Sequence, residues 1–292
     1  MENIETKKEE IVRKEIDFEE EIAHKEIDFD AENAKIRQIV ALRDDAIDGF
    51  MRHRDDFVRL EEGYQNILSD RKRLNLIRRG KSVLTPNLIM PKVNMMVRDV
   101  MKSFFSGEEL ADLTVADGAS DEDKLVNEML VKELKEYSRE NDLFTSVRPM
   151  VRDCLVYGTA MTKVYWSVAS NTAKVEHCSI DSVFLDPYAS STRGIRFLVH
   201  RVNMTIADLK RKFATSSVDW EAYVNDSLID GSSTMSQSDE IGDYQRVEFY
   251  DVYRKKGNDW FVSTILTDDV LLSYDMKLQD GLPFIITTID SQ

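Results

Sequence analysis

The chain has 292 residues with 42% hydrophobic content, the composition of a folded protein with a sizeable core rather than of a disordered one. Its formal net charge of -15 argues against a surface that holds nucleic acid by general electrostatic attraction. Two cysteines, Cys154 and Cys178, are too few for a disulfide framework, so a reducing compartment is expected.

The first thirty residues carry 12 acidic and 5 basic side chains and no apolar core of a signal peptide. No run reaches the roughly 20 apolar residues that cross a bilayer. Within this arm "KEIDFEE" from Lys14 recurs as "KEIDFDA" from Lys25, eleven residues later. Eleven residues is close to three helical turns, so residues 1–45 read either as an amphipathic helix for a partner or as a frayed acidic arm.

Residues 46–157 read as the helical portion. From Ala31 to about Ile77 the pattern is helical and heavily charged. "RRGKSVLTPNLIMPKV" then breaks it with Gly80, Pro86 and Pro91. Pro91 suits the first turn of a new helix bearing Val93, Val97, Val100, Met101 and Phe104, with Gly107 placed to end it. After the linker "LADLTVADGASDED", Ser120 is a predicted N-cap with Asp123 three residues on. Leu125, Val126, Met129, Leu130, Leu134 and Tyr137 form the predicted buried stripe of that helix.

Leu143, Phe144, Val147, Met150, Val151, Cys154 and Leu155 form a further helical stripe. Pro149 within it predicts a kink, or a true start near Ser146. Gly158 is predicted to stop this helix at positive φ, because beyond it Ala160, Thr162, Val164 and Trp166 alternate as a strand does.

Residues 158–292 read as β-rich. "AKVEHCSI", "SVFLD", "RFLVHRV", "QRVEFYDVYRK", "WFVSTILT" and "VLLSYD" are predicted strands. A small helix opens at Thr205, and a polar loop lies near 216–243. Helices first and strands second give an α+β fold.

Candidate chemistry is sparse. Gly80-Lys81-Ser82 matches the tail of a phosphate-binding loop, but Asn75 stands where its first glycine belongs, and no apolar strand precedes it. Cys154, His177, Cys178 and His200 lack zinc-ligand spacing, and neighbours 177 and 178 point to opposite faces of a strand. Cys154 is read as core. The run Arg71 to Lys81 is the one dense basic patch, suited to phosphates, to an acidic partner or to a solvated helix face. No catalytic, cofactor-binding or metal-binding residue is assigned.

The order of features carries a resemblance. "GKSVLTPNLIMPKVNMMVRDVMKSFF", "DEDKLVNEMLVKELKEYSREND", "VRDCLVYGTAMTKVYW", "CSIDSVFLDPYASSTRGIRFLVHRVNMTIADLKRKF", "VEFYDVYRK" and "GLPF" resemble, in this order, segments of podovirus-type phage portal proteins. The matching positions are Asn87, Asp153, Tyr157, Gly158, Phe184, Asp186 and Pro187, within a match over roughly residues 70–285. The acidic arm has no counterpart.

The resemblance implies a structural, non-enzymatic, ring-forming subunit without cofactors, with the β-rich portion like a portal wing. Such rings are typically dodecamers at a capsid vertex of the virion, assembled in the host cytoplasm. Double-stranded DNA passes through their tunnel. The terminase large subunit docks during packaging, neck or tail adaptor proteins replace it, and major capsid and scaffolding proteins surround the ring; no membrane is involved. Portal chains continue past the Leu-Pro-Phe step into a tunnel-lining helix, stem and crown, so this chain is expected to be part of a longer portal. No DNA-contact residue is assigned. The alternatives are a metal-dependent nucleic-acid-processing hydrolase and a head–tail adaptor.

Overall fold

The computed structural model describes residues 2–68, 70–83, 86–105, 120–167, 170–214, 220, 246–279 and 281–289, with side chains from residue 33 onward. Gly107 and most of both the 110–123 linker and the 216–243 loop lie outside the described residues. Among the described residues six α-helices precede or interleave with eight strands, and the fold is α+β. Contacts divide the chain into two units that are not continuous in sequence. One comprises 1–47 and 196–278, the other 48–195 and 279–292.

Helix α1 spans Glu2–Gln65 and supplies residues to both units. In the first unit its residues 33–47 accompany four antiparallel strands in the order β4 (Phe197–Thr205), β5 (Arg246–Lys256), β6 (Asp259–Leu266), β7 (Leu271–Lys277). Val199 pairs with Val252, which pairs with Ser263, and all three are fully buried. The short helix α6 (Ile206–Lys212) is capped by Thr205, whose hydroxyl accepts from the Asp208 N–H at 3.3 Å. It buries Ile206 and Leu209 against Phe249, Leu266 and Leu272.

Two arginines tie α1 to this sheet's strands and turns. Arg43 donates to Asp269 at 2.7 Å and lies over the Tyr250 ring. Arg254, 4% exposed, donates to Asp275 at 2.8 Å and to Gln38 at 2.9 Å. Burial by itself raises the Asp275 carboxyl pKa, but bonds from Lys256 and Arg254 outweigh this and hold it below the ordinary range.

The second unit holds α1 from residue 48 on, α2 (Asp70–Arg78), α3 (Ile89–Phe105), α4 (Asp121–Glu140) and α5 (Leu143–Tyr157). It also holds an antiparallel sheet in the order β2 (Thr172–Cys178), β1 (Thr159–Ser167), β8 (Phe284–Thr288), and the short strand β3 (Val183–Leu185). The predicted helical run reaches Ile77 but is interrupted: Asn66, at φ 60°, terminates α1, and α2 starts afresh and carries Ile77. The Leu282-Pro283-Phe284 step leads into β8, where the Pro283 carbonyl accepts from the Val164 N–H at 2.8 Å.

Local predictions in this unit hold where backbone chemistry decides them. Ser120 and Asp123 form a reciprocal capping box. Gly158 sits at φ 78° and its N–H bonds the Cys154 carbonyl at 2.9 Å, so helix gives way to strand there. Pro149 neither starts nor ends α5, which runs through it from Leu143; the ring leaves the Thr145 carbonyl without its helical donor.

Side-chain direction departs from expectation. The apolar stripe of α4 faces outward: Leu125 is 60% exposed and Met129 61%. Of the predicted stripe only Tyr137 turns inward, donating to the Ala173 carbonyl on β2 at 2.9 Å; Ser138 is the buried residue of the helix. On α5 the stripe, Cys154 included, is at most half-buried, and the one buried side chain is Asp153. The cause is cover: helical periodicity marks an apolar face, but burial needs a second apolar surface of the same unit against it.

Candidate functional site

The seven motif positions all fall in the second unit, and most converge on one stretch of α1, residues 48–65. Phe50, Phe57, Glu61 and Tyr64 are spaced seven, four and three apart, so they share a helix face. Phe184 meets Phe50 edge-on at 5.2 Å between ring centres, Phe50 stacks on Phe57 at 5.7 Å, and Phe57 meets Tyr157 edge-on at 6.0 Å. Pro187 packs against Gly49 so closely that a Cβ on Gly49 would lie 2.6 Å from the proline Cβ. Asp186 is buried, and its side chain accepts from the Tyr188 N–H at 3.0 Å, shaping the turn that presents Pro187.

Below the rings runs a charged network. The Tyr157 hydroxyl donates to Glu61 Oε2 at 2.6 Å, and Arg152 Nη2 donates to both Glu61 oxygens at 2.8 Å. Arg152 Nη1 donates to Asp153 Oδ1 at 2.8 Å, and Asp153 Oδ2 lies 2.7 Å from His177 Nε2 on β2. The Arg152 guanidinium sits 4.8 Å over the Tyr64 ring. Tyr64 in turn donates to Asn94 at 3.1 Å. Asn87 joins the end of α1 to the start of α3: its amide donates to the Tyr64 carbonyl at 3.1 Å while its oxygen accepts from the Met90 N–H at 3.0 Å.

The electrostatics follow from the geometry. Desolvation by itself raises the Glu61 carboxyl pKa, but bonds from Tyr157 and Gln65 and the Arg152 charge hold it below the ordinary range. Burial, then the bond to Glu61, pushes the Tyr157 phenol up to about 12. Asp153 is only 4% exposed, and a carboxylate so buried needs the cation and ring nitrogen that meet it.

Glu61, Tyr64, Arg152 and His177 belong to this network without having been assigned to it from sequence. A signal was present, since Glu61 and Tyr64 lie on one helical face with Phe57, but their partners are some ninety residues away in the chain.

For chemistry, the network is a set of filled hydrogen bonds rather than an activated nucleophile. Burial pushes the Cys154 thiol up and the Cys178 thiol to about 11, so both stay protonated at neutral pH. His177 is engaged with Asp153, and Cys178 is buried beside it on β2. Among the described residues no group of three or more His, Cys, Asp or Glu is placed to hold a metal ion. Gly80-Lys81-Ser82 follows helix α2 as an exposed turn, the reverse of the strand-to-helix setting that a phosphate loop needs. Helix α2 buries no residue, so the basic run stands in solvent. No helix among the described residues is long and apolar enough to cross a membrane. No family model matches the chain, and no curated protein matches it at a significant level.

Proposed function

We propose that the chain is a structural subunit of a phage portal ring, the vertex assembly through which double-stranded DNA is packaged and ejected. One observation carries the reading beyond the order of motifs. Asn87, Tyr157, Phe184 and Pro187, scattered over a hundred residues, each touch the same eighteen-residue stretch of α1, while Asp153 reaches it through Arg152. Gly158 and Asp186 hold the turns that present Tyr157 and Pro187. Residues that recur together in a family's order are expected to share one structural task, and a common brace is such a task.

In this reading the subunit catalyses nothing and needs no cofactor. ATP hydrolysis belongs to the docked terminase large subunit; capsid, scaffolding and neck or tail proteins are the other partners. The acidic balance suits a conduit, because a basic wall would trap phosphates that must slide past.

Negative-stain electron microscopy of the purified chain, with light scattering for mass, tests the proposal. Closed rings with a central hole are expected. A monomer at every concentration, binding magnesium or manganese stoichiometrically, would overturn it in favour of the metal-dependent hydrolase. A small ring that binds assembled portals rather than terminase would favour the head–tail adaptor.

A further inference from the structure

Among the described residues, the second unit carries two apolar surfaces without cover, of different shape and opposite charge. The first is the outward face of α4. Met129 centres it, with Leu125 and Val126 four and three residues before; Glu122, Glu133 and Glu136 lie at helical spacing on the same side and outnumber the one cation there, Lys132. The second is a cavity of about 470 Å³ between α3 and α5. Its floor is Met101, Phe105 and Phe144, with the two rings edge-to-face at 5.5 Å, and its rim is Arg98, Lys102 and Arg148. One surface is a ridge with carboxylates; the other is a groove with cations.

We infer that α4 of one copy seats its apolar face in the α3–α5 groove of a second copy. The inference deepens the portal reading and rests on it for the identity of the partner. Charge complementarity selects the occupant: an apolar helix rimmed by glutamates fits a groove rimmed by two arginines and a lysine, and the chain supplies both. The two patches differ, so the contact is head-to-tail. After pairing, one copy keeps a free groove and the other a free ridge, so the series continues until it closes on itself as a ring. An isologous pairing of α4 with α4 would instead set glutamate against glutamate.

Cross-linking with the full chain in a Cys154→Ser background tests it. A chain carrying both Met129→Cys and Lys102→Cys is expected to give, on mild oxidation, a covalent ladder of dimers, trimers and higher species. Each single variant gives none. Dimers from Met129→Cys alone would mean that α4 pairs with α4 and would overturn the inference. The charge test uses exposed positions, with circular dichroism to check folding. Lys102→Glu with Arg148→Glu should weaken self-association at least tenfold, and Glu133→Lys with Glu136→Lys on the same chain should restore it. Rings from the unaltered chain without a ladder would sink this contact and leave the portal reading standing. A chain that remains monomeric and gives no ladder would sink both.

Discussion

The two units handle their apolar residues in opposite ways. Of the 23 exposed large hydrophobic side chains among the described residues, 22 belong to the second unit, and Met276 alone to the first. Conversely, ten of the twelve largest fully buried side chains are in the first unit, and only Met101 and Val183 are in the second. The first unit closes its core around a sheet, α6 and a helix segment. The second is held by a polar and aromatic brace and leaves helix faces in water. Exposed apolar helix faces of that kind are the surfaces that docking uses, and they are the basis of the contact between copies proposed above.

The largest effect is expected where the core is closed. Phe249→Ala empties a fully buried site against Phe213 and Leu209 and should cost about 3–5 kcal/mol, read by urea denaturation. Met129→Ala on α4 should move stability by no more than about 0.5 kcal/mol while weakening assembly. Equal losses from the two would erase the contrast between the units.

Next comes the brace. Arg152→Met keeps an apolar stem but strips Glu61 and Asp153 of their shared donor, leaving the buried Asp153 with His177 alone. A loss of about 1–3 kcal/mol is expected by thermal denaturation, with the second unit melting first by hydrogen exchange. Gly158→Val should follow at about 1–3 kcal/mol, because φ of 78° is hostile to a β-branched residue. Nothing crowds a Cβ there, so Gly158→Asn should lose much less. Equal melting of the two variants would mean that the cost is not one of φ.

The smallest effects are in pH, and they touch both units. Glu61 and Asp275 titrate lower in the folded protein than in the unfolded chain, where their values are near 4.5 and 3.8. Their stabilisation is therefore complete above those values and is lost as pH falls through the lower folded ones. At the alkaline end Tyr157 and Tyr250 move from 10.0 to about 12, and Cys178 from 9.0 to about 11. Folding favours their protonated forms, so stability should begin to fall near pH 9, when unfolded Cys178 ionises, and continue to about pH 12. Glu61→Gln should flatten the acid limb of the second unit alone, followed by hydrogen exchange across a pH series.

Much of the fold was legible beforehand. Ser120 with Asp123, Thr205 with Asp208, the stop at Gly158 and the strands up to "VLLSYD" all appear where local pattern put them. The site was legible only in part. Local motifs mark Asn87, Tyr157, Phe184 and Pro187 as positions, but nothing local marks the helix that gathers them. Periodicity predicts the α4 stripe as a buried face, and apart from Tyr137 it lies outward.

By itself the sequence determined caps, turns and periods, because a cap hydrogen bond, a positive φ or an alternating strand depends on neighbours within a turn or two. Only the tertiary structure decided that β8 pairs with β1 across some 125 residues, that Arg152 bridges Glu61 and Asp153, and that α4 keeps its apolar face in solvent. Those outcomes depend on which distant surface arrives to cover a side chain. Periodicity names the face that wants cover; it does not say whether the cover comes from the same chain.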